Sequence, residues 1–321
     1  MDLHTRTDEF LELITFTADE TGLPEIYIEK DYWVTRALKC LAESDLVDDV
    51  IFKGGTSLSK AYRLIERFSE DVDLAVFAGE RSGNALKKHI KDVENIVNKG
   101  LSSVDSPNNS KGGKFRRTVY EYPRTQASND FGQASPHLLL EINAFTNPEP
   151  HETRELNSLI AEALEKKERL DLVSRYGLES FTINVLSVRR TLTEKLLRVI
   201  KASYADDPVS ELSTYIRHLY DITMILRDPD LRMFMEGEEF LPMCQRCIED
   251  DKIGNFSNSG CLDHPLLSAP LFSHFSEWQE QLNTVYTREF AMLVNGGLPE
   301  FDEITQAVDD LQQFLATVSA N

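Results

Sequence analysis

The sequence has few cysteines and no long hydrophobic run. Its four cysteines are unevenly spaced, which is not the pattern of a disulfide-stabilised secreted domain. The first ten residues are polar and acidic, unlike a secretory signal. The longest apolar candidate, residues 138–145, falls far short of the roughly 20 residues that cross a bilayer. We therefore expect a soluble cytoplasmic protein with no membrane association.

Positive charge is also scarce. Lysine and arginine number 34 against 54 acidic residues, a net charge of -20, which argues against a general nucleic-acid coat protein. Surface charges are screened over roughly 8 Å at physiological salt, so a local cluster can still bind phosphate. One such cluster lies in a predicted loop and consists of Lys111, Lys114, Arg116 and Arg117. It is either a phosphate-binding surface or simply a solvated one.

The apolar pattern changes along the chain. Helical spacing in the first forty residues gives way to a short strand, a glycine turn and a helix around Gly54. Alternation indicates further strands at 71–76, 117–122, 137–145 and 181–188. Helical stripes then dominate, the first opened by a predicted capping box at Thr191 and Glu194. This pattern predicts an α+β fold, with a mixed β-sheet flanked by helices in residues 1–188 and a helical C-terminal domain in 189–321.

Two carboxylates stand at alternate positions of the strand predicted at 71–76. Asp71 and Asp73 leave the same face of that strand, with Cα atoms about 7 Å apart. They repel each other unless a cation lies between them, and Mg²⁺ prefers carboxylate and phosphate oxygens. The alternative is a solvated strand edge.

Two further features favour phosphate chemistry. Gly54, Gly55, Thr56 and Ser57 stand at a predicted strand-to-helix turn, where free backbone N–H groups let a triphosphate approach, although the two hydroxyls could instead cap the helix. Glu141 interrupts an apolar strand, where a charge is costly unless it is paired or binds metal. With Asp71 and Asp73, this order fits two-metal phosphoryl transfer.

At these residues the sequence resembles the AbiEii/AbiGii nucleotidyltransferase toxins of the DNA polymerase β-like superfamily. The segments FKGGTSL (52–58) and RFSEDVDL (67–74) look like the first motif of that family. Similarity extends to IEKDYWV (28–34), TEKL (193–196) and RHLYDI (217–222). The spacing between Gly55 and Asp71 is longer than is general in the superfamily, though it suits this branch.

The resemblance implies a nucleotidyltransferase-like fold and a toxin that transfers a nucleoside monophosphate from an NTP to RNA, at the 3′ end of tRNA. It implies a two-metal site for Mg²⁺ or Mn²⁺, with Asp71 and Asp73 as ligands, and an AbiEi-like winged-helix antitoxin as partner. It also implies that Lys195 and Asp221 are site residues. From the residues alone, Lys195 suits a triphosphate or a salt bridge with Glu194, and Asp221 could simply pair with Arg217 four residues earlier.

Other interpretations remain open. The acceptor could be a small molecule such as an antibiotic, or a protein side chain, and a nucleotide-binding module without catalysis is a non-enzymatic alternative. A separate set, Cys244, Cys247, Cys261 and His264, has the spacing of a structural zinc site. We do not expect zinc there, because the first pair begins a predicted helix in a chain large enough to fold without metal.

Overall fold

The protein folds into two compact units, which interleave along the chain. The computed structural model describes residues 2–125, 135–254 and 259–320. The first unit comprises Met1–Tyr62 and Phe68–Leu186, and the second comprises Arg63–Arg67 and Ser187–Asn321. The segment of five residues just before the predicted carboxylate strand thus belongs to the second, helical unit.

The first unit combines helices with a sheet. Its helices are α1 (Thr7–Thr21), α2 (Glu25–Ala42), α3 (Gly54–Lys60), α4 (Gly83–Val97), α5 (Leu159–Lys166) and α6 (Leu170–Arg175). Its strands are β1 (Val50–Lys53), β2 (Val72–Val76), β3 (Ser102–Ser103), β4 (Ser110–Lys111), β5 (Phe115–Glu121), β6 (Leu138–Asn143), β7 (His151–Leu156) and β8 (Phe181–Leu186).

The strands of the described residues form one mixed sheet of eight strands. Its order is β3-β5-β6-β2-β1-β8-β7, and β4 pairs with β5. The central β2 is antiparallel to β1 and parallel to β6. The sheet is mixed, as the sequence predicted.

Alternation within the central strands separates the two faces of the sheet. Val72, Leu74 and Val76 of β2 belong to the hydrophobic core. Leu138, Leu140 and Ile142, the alternate residues of β6, belong to the same core, together with buried residues of α1, α2, α4, α5 and α6. Because side chains alternate along a strand, Asp73 and Glu141 leave the opposite face of the sheet. Strand β2 begins at Val72, one residue later than predicted, so Asp71 immediately precedes the strand and does not lie within it.

The sequence did not predict β7, α5 or α6, and it assigned the residues of β3 and β4 to a loop. Strand β7 stands at the edge of the sheet and only its last residue, Leu156, is buried. An edge strand with two solvated faces shows no apolar alternation, which explains the omission.

The second unit is helical. Its helices are α7 (Val188–Ser203), α8 (Pro208–Thr214), α9 (Ile216–Ile225), α10 (Pro229–Glu236), α11 (Phe240–Ile253), α12 (Pro270–Arg288) and α13 (Phe301–Ala320). The predicted apolar stripe of α7 is confirmed, since Leu192, Leu196, Val199 and Ile200 are all buried. No helix in the described part of the chain has the length and apolar character needed to cross a membrane.

The predicted capping box at Thr191 and Glu194 is wrong. Helix α7 begins at Val188, so both residues lie inside it. Glu194 instead accepts a hydrogen bond from Arg190 Nε at 3.0 Å, an ordinary pair one helical turn apart.

Candidate functional site

The glycine turn between β1 and α3 is shaped around Asp73. Gly54 has a φ of 82°, and a Cβ built there would stand 3.0 Å from the Cγ of Asp73. Only glycine tolerates both the left-handed backbone and this approach. The turn and the carboxylate strand, which lie 18 residues apart in sequence between Gly55 and Asp73, therefore meet in the fold as the sequence suggested.

The hydroxyl groups of the turn are engaged inside the protein. Thr56 Oγ1 lies 3.0 Å from Ser69 Oγ, and Ser57 Oγ donates to the Gly54 carbonyl at 2.9 Å. Both side chains are fully buried. In this conformation they hold the turn and the segment before Asp71, which leaves the backbone of Gly54 and Gly55 as the part of the turn that could face a phosphate.

Glu141 and Asp73 occupy neighbouring strands in direct register. Asp73 of β2 pairs with Glu141 of β6, while Glu141 also pairs across β5 with Arg117. Arg117 Nε lies 3.0 Å from Glu141 Oε1, and both side chains are partly exposed. The charge that seemed costly in an apolar strand thus has a cationic partner and lies on the more open face of the sheet.

Asp71 and Asp73 are carboxylates of the kind that could hold a metal ion shared with a substrate. Among residues 2–125, 135–254 and 259–320, no three acidic, histidine or cysteine side chains converge as a complete metal cage. Mg²⁺ is usually held by one or two carboxylates together with water and substrate phosphates, so it needs no such cage. Asp73, whose carboxylate fills the space that Gly54 leaves by lacking a Cβ, and Asp71, two residues earlier in sequence, are suitable ligand types.

A second cluster lies in the helical unit and centres on Asp221 of α9. Arg67 Nε and Nη2 donate to its two carboxylate oxygens at 2.7 and 2.8 Å. Lys195 Nζ of α7 lies 2.7 Å from Oδ2 of the same carboxylate. Asp221 has no exposed surface, and Lys195 and Arg67 are almost fully buried.

This arrangement differs from the simple ion pair considered for Asp221. Its cationic partners are Arg67 and Lys195, whereas Arg217 is exposed on the helix surface. Arg67 lies 154 residues away in sequence, so helical spacing could not reveal it. The available signal was the occurrence of Arg67 inside the RFSEDVDL segment.

The electrostatics of the cluster follow from burial and its charges. Burial alone would raise the pKa of Asp221, but Arg67 and Lys195 outweigh it and hold that pKa below 3.8. Burial lowers the pKa of Lys195, although Asp221 opposes this effect. His218, whose Nδ1 lies 3.2 Å from Lys195 Nζ, has a pKa well below 6.5 because of desolvation and the adjacent Lys195 charge. His218 is therefore neutral near physiological pH, and the charges of Arg67 and Lys195 both face the Asp221 carboxylate.

The cationic loop predicted from sequence is only partly a loop. Arg116 and Arg117 belong to β5. Arg116 is buried, and its Nη2 lies 2.6 Å from Glu94 Oε2 of α4, while Arg117 contacts Glu141. Lys111 and Lys114 remain exposed. The prediction that all four cations form one accessible surface is therefore wrong for Arg116, because its charge neutralises a buried glutamate.

The cysteines and histidine of the possible zinc motif do not converge. Cys244 and Cys247 are buried in α11, and burial raises the pKa of Cys247 to about 12, which disfavours the thiolate that zinc requires. The His264 ring stacks on Tyr204. The described part of the chain contains no group of three or more such side chains able to hold a metal.

Comparison with known proteins identifies a family. Residues 36–308 match the family model described as nucleotidyl transferase AbiEii toxin, type IV TA system. None of the curated proteins compared with the chain matches it.

Two solved structures illustrate the similarity of fold. MenT4, a nucleotidyltransferase toxin from Mycobacterium tuberculosis H37Rv, is 16% identical over 95% of this chain and 98% of that chain, with a TM-score of 0.51. JHP933 from Helicobacter pylori is 17% identical over 93% and 95%, with a TM-score of 0.43. The likeness to MenT4 shows a shared fold.

Proposed function

Because the chain belongs to the AbiEii family of nucleotidyltransferase toxins from type IV toxin–antitoxin systems, we propose that it transfers a nucleoside monophosphate from an NTP to the 3′ end of a tRNA. One observation carries the proposal for the chemistry. Asp73 and Glu141 leave one face of the sheet in direct register, the missing side chain of Gly54 leaves space for the Asp73 carboxylate, and Asp71 immediately precedes the strand that carries Asp73. Carboxylates clustered beside a glycine turn suit the binding of a cation and a phosphate group.

Asp71 and Asp73 are the proposed ligands of Mg²⁺ or Mn²⁺. When bound, divalent ions supply charge that stabilises the attacking and leaving oxygens of phosphoryl transfer. The backbone N–H groups at Gly54 and Gly55 are proposed to orient the triphosphate. Thr56 and Ser57 support this role indirectly, since their buried hydroxyls hold the turn.

The reaction requires a proton acceptor. The 3′-hydroxyl oxygen of the acceptor forms a bond to the α-phosphorus, the bond to the β-phosphate breaks, and pyrophosphate leaves while the hydroxyl loses its proton. Glu141 is the proposed acceptor of that proton, because its strand stands in register with Asp73. Arg117, 3.0 Å from Oε1, orients the Glu141 carboxylate.

Lys195 and Asp221, which belong to the second unit, are also proposed as site residues on the basis of family membership. Lys195 offers a charge suited to a triphosphate. Asp221 fixes the direction of Lys195 Nζ through their contact of 2.7 Å.

The macromolecular partners are proposed on chemical and family grounds. Family membership implies an antitoxin, which we propose to be an AbiEi-like winged-helix protein. Exposed Lys111 and Lys114 at the end of β4 and before β5 support an RNA acceptor. A neighbouring gene whose product restores growth during toxin expression would identify the antitoxin directly.

The experiment that tests the function is labelling with each α-labelled NTP, total RNA and Mg²⁺. We expect label to appear in tRNA. Asp71→Asn and Asp73→Asn should lose about a thousandfold in rate, equivalent to about 4 kcal/mol of transition-state stabilisation. Asp105→Asn, at an exposed position, should retain normal activity and serves as the matched control.

The outcomes separate the alternatives. Label in a small molecule or a protein would overturn the RNA acceptor but keep the chemistry. NTP binding without any labelled product would identify a binding module. Normal transfer by either aspartate variant would remove the proposed metal site.

A further inference from the structure

Lys30 of α2 lies at the centre of a buried network. Its side chain is 1% exposed, and Nζ donates to Glu70 Oε2 at 2.5 Å and to the Ser135 carbonyl at 2.6 Å. The Ser135 N–H donates in turn to Glu70 Oε1 at 2.7 Å. The three residues therefore form a closed ring of hydrogen bonds that joins three separate parts of the first unit.

This network stands at the start of both carboxylate strands. Glu70 immediately precedes Asp71, and Ser135 stands three residues before the first residue of β6, Leu138. Strands β2 and β6 are parallel neighbours with Asp73 opposite Glu141. Lys30 thus links the segment that contains Asp71 and leads to Asp73 in β2 with the segment that leads to Glu141 in β6.

The segment before Asp71 depends on such side-chain contacts. Residues 68–71 belong to no helix or strand, so no regular backbone ladder fixes their path. The Phe68 ring stacks on Tyr27 of α2 with ring centroids 3.9 Å apart. Ser69 contacts Thr56 of α3, and Glu70 contacts Lys30. Three consecutive residues are each held by a different side chain.

We propose that Lys30 is a positioning residue for nucleotidyl transfer, which holds Glu70 and the approach to β6 so that Asp71, Asp73 and Glu141 share one working geometry. The proposal rests on the proposed function of those carboxylates. Lys30 acts through Glu70 and does not touch substrate. A buried ion pair contributes little net stability compared with apolar packing, so orientation of the adjacent carboxylates accounts for its presence better than stability does.

Helix α2 provides a matched control in Lys39. This lysine is 8% exposed, and its Nζ donates to the carbonyls of Gly177 and Glu179 at 3.1 and 3.0 Å. Both carbonyls precede β8, a strand that carries no proposed site residue. Lys30→Met and Lys39→Met each remove a buried ammonium group from the same helix, but only Lys30→Met affects the approach to Asp71.

The test compares the two full-length variants with the unaltered protein in two measurements. The first is steady-state NTP transfer with Mg²⁺. We expect Lys30→Met to lower kcat by about 10- to 100-fold, as loss of a residue supporting metal ligands typically does, with KM for NTP nearly unchanged. Lys39→Met should keep kcat within about twofold, even where the two variants lose similar thermal stability.

The second measurement is hydrogen–deuterium exchange in the metal-free protein. Peptides covering residues 68–74 should exchange faster in Lys30→Met than in Lys39→Met, while peptides from α13 should not change. This measurement requires no activity. Absence of transfer in the unaltered protein would therefore contradict the proposed function, whereas unchanged exchange in residues 68–74 would contradict the role of Lys30.

A third variant guards against misfolding. Lys30→Met leaves Glu70 buried without its ammonium partner, so Lys30→Met/Glu70→Gln removes both charges together. If the double variant is folded and has normal kcat and normal exchange in residues 68–74, Lys30 is not a positioning residue. Equal losses of kcat in Lys30→Met and Lys39→Met would also overturn the proposal, since they would indicate a general effect of stability.

Discussion

The carboxylate of Asp73 lies directly against the α-carbon of Gly54, so that a Cβ at this glycine would stand 3.0 Å from the Asp73 Cγ and closer still to Oδ2. Gly54 also has a φ of 82°. Two separate features therefore require glycine at position 54: the left-handed backbone conformation and the close approach of Asp73, a proposed metal ligand.

Gly54→Ala should abolish most nucleotidyl-transfer activity. Gly22→Ala is the control that distinguishes backbone strain from the displacement of Asp73. Gly22 has a φ of 73°, but a Cβ there would meet no described atom within 4 Å. Gly22→Ala should cost about 1–2 kcal/mol of unfolding free energy through backbone strain alone. Gly54→Ala should add displacement of Asp73 and lower kcat by about 100-fold or more. Thermal melts and NTP transfer assays measure both effects, and equal activities in the two variants would contradict the role of the Gly54 contact.

The Asp221 cluster predicts a dependence of stability on pH. Asp221→Asn should cost about 3–5 kcal/mol at neutral pH, because it removes the charge that compensates buried Arg67 and Lys195. The folded-state pKa of Asp221 lies below its ordinary value of 3.8. Its stabilising contribution is therefore fully present above pH 3.8 and lost as the pH falls from there towards the folded-state pKa.

Denaturant unfolding between about pH 6 and about pH 3 measures this contribution. The stability gap between the unaltered protein and Asp221→Asn should narrow only below pH 3.8. Asp310→Asn is the control: Asp310 pairs with Arg232, whose side chain is 42% exposed, and its loss should cost about 1 kcal/mol or less. A gap that stays constant down to the lowest pH would show that Asp221 is not the titrating group.

Helix α7 provides a matched control residue for Lys195. Lys195 and Lys201 of α7 are each 5% exposed, and Lys201 Nζ lies 2.7 Å from Asp251 Oδ2. Lys195→Met should raise KM for NTP by about tenfold or more, because it removes a charge proposed to meet the triphosphate. Lys201→Met should leave KM unchanged. Parallel changes of KM in both variants would indicate a general effect of losing a buried ion pair.

The sequence predicted the local features of the site better than its distant contacts. The strand position of Asp73 follows from two-residue alternation, although the same pattern wrongly extended the strand to Asp71. The turn at Gly54 follows from a glycine pair between a strand and a helix. These patterns involve residues close together in sequence, so they can be recognised without knowledge of the fold. The register that places Glu141 beside Asp73 depends on pairing between strands far apart in sequence, and the sequence alone does not specify it.

The buried charges show the same limit. Lys30 lies among buried residues of α2, and a buried ammonium group requires a polar partner. That partner, Glu70, is 40 residues away in sequence, so the local pattern does not identify it. Arg67 resembled one of several surface cations around the first motif, whereas it lies in the helical unit and binds Asp221. Tertiary packing determines which buried charged residues pair with each other. The sequence shows which residues are charged, but it does not show these pairings.

The RNA acceptor predicts a dependence on Lys111 and Lys114. Both are exposed, whereas Arg116 binds buried Glu94, so neutralising the two lysines tests the surface without damaging the fold. If each lysine contacts one phosphate, Lys111→Ala/Lys114→Ala should reduce the log-log salt slope of RNA binding by about 1.5 to 2. RNA labelling should fall while KM for NTP stays constant. Lys166→Ala/Lys167→Ala, which removes two exposed lysines at the end of α5, should change neither quantity. An unchanged slope and labelling rate in the first variant would show that these lysines do not contact the acceptor and would favour a small-molecule or protein substrate.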